Sequence, residues 1–338
     1  MNQFDESIQV EPILSGKLRR YNNLSLWRQL LRPVSIVLPN IRDGFLVLCG
    51  FIQSATKLWI WRPDVIFTKG GYVCLPVGLA ARMLGIPLVI HDSDAHPGLT
   101  NRVLAKWATS IATGAPLKYY SYPTDISRYV GIPIREGFRK YSDAERRIIK
   151  AKLGFSSDLP LTVITGGGLG AKRINDAAIS QARSLIEFTS VMLISGKEQY
   201  DELRALAPQG TQRFDLRDFV SSGMEDVLGA ADVVVTRAGA TTMLELAALA
   251  KPTIVIPNGF LTGGHQLKNA EAYAENKSIE VIDDQELNDN HTILTTVLRR
   301  LLNNPARLNQ MGKLLHEFAK PDAAKDVAAM ILRAAKKK

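Results

Sequence analysis

Two spacings of apolar residues alternate along this chain. Short β-branched or apolar runs end in glycine or a polar turn: "PDVIFTKGG" (63–71), "IPLVIHDSD" (86–94) and "SIATG" (110–114) in the first half, then "LTVITGGG", "SVMLISG", "ADVVVTRAG", "PTIVIPN" and "SIEVIDD" in the second. Segments with helical periodicity, such as "LPVGLAARMLG" and "TNRVLAKWA", lie between most of them. Strands with both faces apolar, separated by helices, predict two doubly wound parallel sheets. The boundary falls near "GIPIREGFRKYSDAERRIIKAKLGF", where a Pro-containing turn gives way to a charged helix before a new sheet begins. The domains expected are 1–134 and 135–321. The closing helix, 322–338, is expected to fold back on the first half.

One apolar stretch stands outside this alternation. "GFLVLCGFIQSATKLWIW" (44–61) carries Gln53, Ser54 and Lys57 inside it, and reads better as an amphipathic helix than as a membrane span. Its apolar residues suit either a membrane surface or a core-facing stripe.

Composition adds a preference for anionic partners. Forty-two Lys and Arg against 33 Asp and Glu give a net charge of +9, a balance that suits nucleotide phosphates, nucleic acid or an acidic membrane surface. The basic residues are dispersed and no nucleic-acid motif is present, which disfavours nucleic acid. The two cysteines, Cys49 and Cys74, form neither a C-x-x-C pair nor a Cys/His cluster, so no disulfide framework or zinc site is expected. The start, "MNQFDESIQV", has neither the basic nor the apolar region of a signal peptide.

The chemistry should sit in the polar turns that close the second-half strands, because open α/β sheets bind ligands beyond the strand carboxyl ends. The turn "TGGGLGA" matches G-x-G-x-x-G/A through Gly166, Gly168 and Ala171, but the next strand ends in Ser195, Gly196 and Lys197 rather than in an acid for a dinucleotide ribose. "TRAGATTMLE" is more specific: a helix opens at Ala240, Thr241 and Thr242, where backbone amides could hold a pyrophosphate, and Glu245 lies about one turn further on. A third turn, "NGFLTGGHQLKNA", brings His265, Gln266 and Asn269 to the same sheet edge.

The ordered set "SGKLRRY", "GGY..LP.GLAA", "IPLVIHDSD..PGLTN", "GIPIRE", "TGGGLGA..IN", "GAADVVVTRAGATTMLE" and "GGHQLKNA" spans nearly the whole chain and resembles the MurG family of N-acetylglucosaminyltransferases. The resemblance implies a GT-B fold, two Rossmann-like domains facing a cleft, with the first N-terminally incomplete. It implies inverting transfer of GlcNAc from UDP-GlcNAc to the MurNAc C4 hydroxyl of lipid I, forming lipid II for peptidoglycan synthesis. Related UDP-sugar glycolipid synthases and a non-catalytic donor-binding or membrane-recruiting subunit are the rival readings.

Carried over residue by residue, Glu245 would bind the uridine ribose, Ala240, Thr241 and Thr242 the diphosphate, and the Val220 backbone the uracil. Arg135 matches the basic residue closing "GNPVR", and Gln266 a glutamine near the GlcNAc hydroxyls. Gly168 replaces the family's loop serine, and His91-Asp92-Ser93-Asp94 replaces "HEQN"; Asp94 and Asn101 are further substrate-binding candidates. Asp92 and Asp94 also imitate a D-x-D metal motif, but the resemblance implies neither cofactor nor metal. The acceptor implies peripheral attachment at the inner face of the cell membrane, cytoplasmic side, through Ile41, Phe45, Leu48 and Phe51, with Lys17, Arg19, Arg20, Arg28 and Arg32 facing anionic headgroups.

The family opens with a strand and a "GGTGGH" loop whose histidine is a candidate base. This chain enters after them, so Met1 is expected not to be the natural start, or a separate N-terminal segment is expected as a partner. The catalytic base is therefore unassigned. His265 is the best-placed alternative, while His91, His96, His291 and His316 read as hydrogen-bonding or surface residues.

Overall fold

The computed structural model describes residues 8–17, 37–167, 171–259 and 265–336. The chain forms two compact units. The first comprises residues up to Ser93, Pro97–Val130 and Lys325–Lys338; the second comprises Asp94–His96 and Gly131–Ala324.

In the first unit, helix α1 (Leu38–Trp61) leads to strand β1 (Ile66–Thr68), α2 (Cys74–Met83), β2 (Leu88–Asp92), α3 (Leu99–Leu104), β3 (Ser110–Thr113) and β4 (Ser127–Tyr129). The four strands are parallel and lie in the order β1-β2-β3-β4. β2 is buried along its whole length, as expected of a strand covered on both faces. β4, "SRY", has no fully buried residue and lacks the apolar run that marks the other strands, so the hydrophobic pattern did not reveal it.

Helix α1 is 24 residues long and, by length and composition alone, apolar enough to cross a membrane. One face of it packs, however: Gly50, Ser54 and Leu58 are buried. The extended segment 8–17 uses its polar positions, with Gln53 Oε1 accepting from the Leu14 amide at 2.9 Å and Lys57 paired with Glu11 at 2.5 Å. Gly50 permits this approach, since a Cβ there would lie 1.8 Å from the Leu14 carbonyl oxygen.

The second unit runs α4 (Asp143–Lys152), β5 (Leu161–Thr165), α5 (Lys172–Ser180), α6 (Ala182–Leu185), β6 (Ser190–Ile194), α7 (Tyr200–Leu206) and β7 (Phe214–Arg217). It continues with α8 (Met224–Ala230), β8 (Val233–Thr236), α9 (Ala240–Ala248), β9 (Thr253–Val255), α10 (His265–Ala274) and β10 (Glu280–Val281). Helices α11 (Asp284–Asp289), α12 (Thr292–Leu302) and α13 (Pro305–His316) close the unit. The charged helix α4 starts with a capping box, Ser142 and Glu145 each bonding the other's backbone amide.

All strand pairs here are parallel, in the order β10-β9-β8-β5-β6-β7. The order reverses between β5 and β8, which makes their carboxyl ends the topological switch point. Alternate residues of each strand feed two cores. Val163, Met192 and Val234 join one, while Ile164, Leu193, Val233 and Val235 join the other, as a period of two requires when both faces are covered. β7 keeps only Phe214 fully buried and, like β4, is an edge strand without an apolar run.

The last helix, α14 (Ala323–Ala335), sets Val327 and Met330 against Ala112 of β3 and Val130.

Candidate functional site at the switch point of the second sheet

Register places the last residues of the two switch-point strands, Thr165 and Thr236, opposite one another. After β5 the backbone turns through Gly167 at φ +79°, where a Cβ would meet nothing within 4 Å. The glycine is therefore needed for its left-handed backbone, with open space beside it. Thr165 Oγ1 accepts from the Gly167 amide at 3.2 Å. Gly168, expected to touch substrate, lies outside the described residues.

After β8 the chain enters α9 through Gly239, an extended N-cap with no side-chain cap. The first amides of this nine-residue helix thus have no capping side chain, at the positive end of its dipole. Thr241 is exposed, and Ala240 and Thr242 are half-buried at the same end. Thr236 Oγ1, beneath this turn, is buried without a hydrogen-bond partner. Arg237 does not supply the site with a free cation: its guanidinium is paired with Asp284 and donates to the Ile256 carbonyl at 2.9 Å.

Glu245 lies half-buried in α9. Burial pushes its carboxyl up to about 7; the nearby Glu225 adds to that rise and the Arg135 guanidinium opposes it. Arg135, Glu225 and Glu245 are therefore electrostatic neighbours. No sequence motif marks Glu225; its Oε2 is buried without a partner, and a Cβ on Gly137 would lie 2.8 Å from its Cγ. Val220 is half-buried and packs against one of the second unit's two cores.

After β9, Gln266 Oε1 accepts from the Asn258 amide at 2.9 Å, which leaves its NH2 group as the part able to donate elsewhere. His265 Nδ1 lies 3.6 Å from Asp94 Oδ2. Burial raises the Asp94 carboxyl, but His265, Asn269 and His96 outweigh it and hold the group below the usual carboxylate range.

Asp92, the other acid of the D-x-D-like stretch, is buried and accepts from the Tyr122 hydroxyl at 2.7 Å. Among the described residues no three His, Cys, Asp or Glu side chains converge as a metal site. Asn101, in the first unit, is 2 % exposed; its Nδ2 donates to the His91 carbonyl at 3.5 Å while its Oδ1 is unpartnered.

On α1, Ile41, Phe45 and Leu48 are exposed, and Ile52 extends the same helical series. Phe51 differs: it packs against the first unit's core. Lys17 is exposed, while Arg19, Arg20, Arg28 and Arg32 lie outside the described residues.

Comparison with known proteins matches both halves to one family. Residues 5–113 match the glycosyltransferase family 28 N-terminal domain and residues 161–327 its C-terminal domain. A crystal structure of Acinetobacter baumannii MurG superposes with a TM-score of 0.69 at 24% identity, covering 86% of this chain and 79% of that one. A UDP-GlcNAc 2-epimerase from Neisseria meningitidis, solved bound to UDP-GlcNAc, shares the fold at TM-score 0.62 and 13% identity, covering 85% and 81% of the two chains. Two parallel-sheet α/β domains matched in this way define a glycosyltransferase of the GT-B class.

The UDP-N-acetylglucosamine--N-acetylmuramyl-(pentapeptide) pyrophosphoryl-undecaprenol N-acetylglucosamine transferase of Staphylococcus carnosus is 31% identical over 329 residues, 96% of this chain and 83% of its own length. Transferase 2 of Bacillus cereus is 32% identical over 284 residues, 84% and 75% respectively. The chain belongs to this family of transferases.

Proposed function

We propose that the chain transfers GlcNAc from UDP-GlcNAc to the C4 hydroxyl of MurNAc in lipid I, yielding lipid II for peptidoglycan synthesis. The observation that carries this reading is the switch-point turn after β8: a helix with no N-terminal side-chain cap and Glu245 one turn in. The amides of Ala240, Thr241 and Thr242 receive the donor diphosphate, at the sheet edge that also carries the turn through Gly167. Glu245, ionised, accepts from both ribose hydroxyls, and the Val220 backbone meets the uracil. His265 and Gln266 face the GlcNAc hydroxyls; Arg135 sits near Glu245.

The reaction is a single displacement. The acceptor oxygen bonds to the anomeric carbon as the carbon–oxygen bond to UDP breaks, and the electron pair leaves with the diphosphate. Amides and the α9 dipole stabilise the charge that develops there, with no metal required. Asp94 and Asn101 act as further substrate-binding or positioning groups. The first unit supplies the acceptor side, and the exposed series Ile41, Phe45, Leu48 and Ile52 rests on the anionic inner leaflet of the cell membrane.

Calorimetry with UDP-GlcNAc, followed by UDP release with a lipid I analogue, tests the reading. Binding together with acceptor-dependent release is the expected result. Binding without release supports a donor-binding subunit instead, and absence of both overturns the assignment.

A further inference from the structure

The register between β5 and β8 ends at Thr165 and Thr236, so the turns beyond these strands need other ties to keep their relative positions. One buried carboxylate supplies them. Asp284, the first residue of α11, is 5 % exposed. Its Oδ2 accepts from Arg173 Nη1 at 2.7 Å, and its Oδ1 is paired with Arg237 Nη1. The two arginines lie 111 and 47 positions before it in the chain. Arg173 is the second residue of α5, the helix after β5, and Arg237 directly follows β8. All three belong to the second unit.

Each arginine is joined to the opening of a helix. The Gly239 amide donates to the Arg237 carbonyl at 2.9 Å, so Arg237 sets the place of the α9 N-cap. Arg237 Nη1 also donates to the Ile256 carbonyl, just past β9, at 2.9 Å. Helix α5 starts after an extended Ala171 and α9 after an extended Gly239, neither with a side-chain cap. Both helices therefore begin with amides that no capping side chain takes. Asp284 is itself held in place. The Asp283 carboxylate accepts from the Gln285 and Glu286 amides at 2.8 and 3.0 Å, and the Ile282 amide donates to the Val255 carbonyl at 3.0 Å.

Stability alone does not call for such a cluster. A buried ion pair gains little over apolar side chains of the same volume, although removing one partner is costly. What a carboxylate between two guanidiniums does provide is direction, since each of its oxygens takes one planar fork. We propose that Asp284 is a positioning residue for donor binding: by holding Arg173 and Arg237 it keeps the openings of α5 and α9 where their amides meet the diphosphate. This rests on the donor-binding reading above. Glu245, assigned to the ribose, lies a turn further along α9, where Met243, Leu244 and Leu246 are buried. Loss of Asp284 should therefore be felt at the phosphates and spare the nucleoside.

Asp284→Asn in the full chain keeps the side-chain shape and removes the charge, and two readouts test it. The first is calorimetry with UDP and with uridine. The Kd for UDP should rise about tenfold, the worth of one hydrogen bond to a charged group, while that for uridine changes less than about twofold. The second is backbone amide hydrogen exchange without ligand. The Asn175 and Met243 amides close the first turns of α5 and α9 on the Ala171 and Gly239 carbonyls, each at 2.9 Å. Both should exchange about tenfold faster in the variant, measured against the amides of β5 and β8.

Unchanged exchange at both amides overturns the proposal, whatever the affinities. So does faster exchange with UDP affinity unchanged, or with UDP and uridine weakened alike, because a purely structural role gives either result. Should Asp284→Asn fail to fold, Arg173→Gln, at a side chain 31 % exposed, removes one arm and carries the same expectations for Asn175 and for UDP. A wild type that binds UDP no better than uridine overturns the donor reading and with it the role in binding; faster exchange in the variant then leaves the tie between the two openings standing.

Discussion

The two units handle their exposed chemistry in opposite ways. In the second, the strand order reverses between β5 and β8, and polar groups collect where it does: the start of α9, an unpartnered Thr236 hydroxyl and Glu245 with a raised pKa. In the first, the four described strands run in sequence order, and the prominent exposed feature is apolar, the outer stripe of α1. A small polar ligand needs convergent donors and acceptors at fixed positions, which a switch point supplies. A lipid surface would need exposed apolar area, and the outer stripe of α1 offers that.

That division can be broken from either side. The largest effect is expected at Glu245. Replacing Glu245 with Gln should weaken UDP-GlcNAc binding about 30-fold, because the amide keeps one acceptor oxygen but loses the negative charge and the second acceptor, while liposome binding stays unchanged. The same substitution should stabilise the fold. Burial raises the carboxyl from its ordinary 4.5 to about 7, so the folded state holds the proton more tightly than the unfolded chain. The resulting penalty is absent below the unfolded value and complete above about 7. Glu245→Gln should therefore gain on the order of 1 kcal/mol at pH 8, after allowance for solvent screening, and little at pH 5. Thermal unfolding at the two pH values checks the sign.

A smaller effect on the donor is expected from Ala240→Asp, which puts negative charge at the amides assigned to the diphosphate. It should weaken UDP-GlcNAc binding about tenfold, in keeping with charge at a helix terminus. On the other side, if the outer stripe of α1 is the proposed membrane contact, Phe45→Ser with Leu48→Ser should reduce binding to anionic liposomes at least about tenfold, since both side chains are exposed in the protein. Thermal stability and the donor Kd should not move. Phe51→Ser sharpens the contrast within one helix. Phe51 packs on the core, so its loss should cost roughly 2 kcal/mol of stability with little direct effect on the membrane.

These same contrasts mark what the sequence could say. Strands β5, β6, β8 and β9 are runs buried on both faces, and a run of β-branched residues announces itself. Edge strands β4 and β7 carry Arg, Asp and Ser and no apolar run marks them, because pairing on one side only relaxes the demand for apolar side chains. The helix spacing of Ile41, Phe45, Leu48 and Phe51 was visible, but not which side faced the core. Phe51 belongs to the packed side, and Ile52 takes its place in the exposed series.

At the site, local motifs pointed to Glu245, Ala240, Thr241 and Thr242 because a strand, a glycine turn and a helix lie consecutively in the chain. The electrostatic neighbours of Glu245 were hidden, since Arg135 and Glu225 come from other segments and meet it only through folding. Asn269 was visible as a polar residue four positions after His265. Its three bonds depend on Asp94, Ala95 and Ala238, which no spacing rule connects to it.

The central claim is that an ionised Glu245 at the switch point reads the donor ribose. The most direct measurement is the Kd for UDP-GlcNAc from about pH 5.5 to 8.5, for wild type and Glu245→Gln. With the free carboxyl at about 7, wild-type affinity should be level above neutrality and fall towards tenfold per pH unit below it. The variant should be weak and lack that slope. A wild-type Kd that is flat across the range, or a variant that keeps wild-type affinity, would contradict the account.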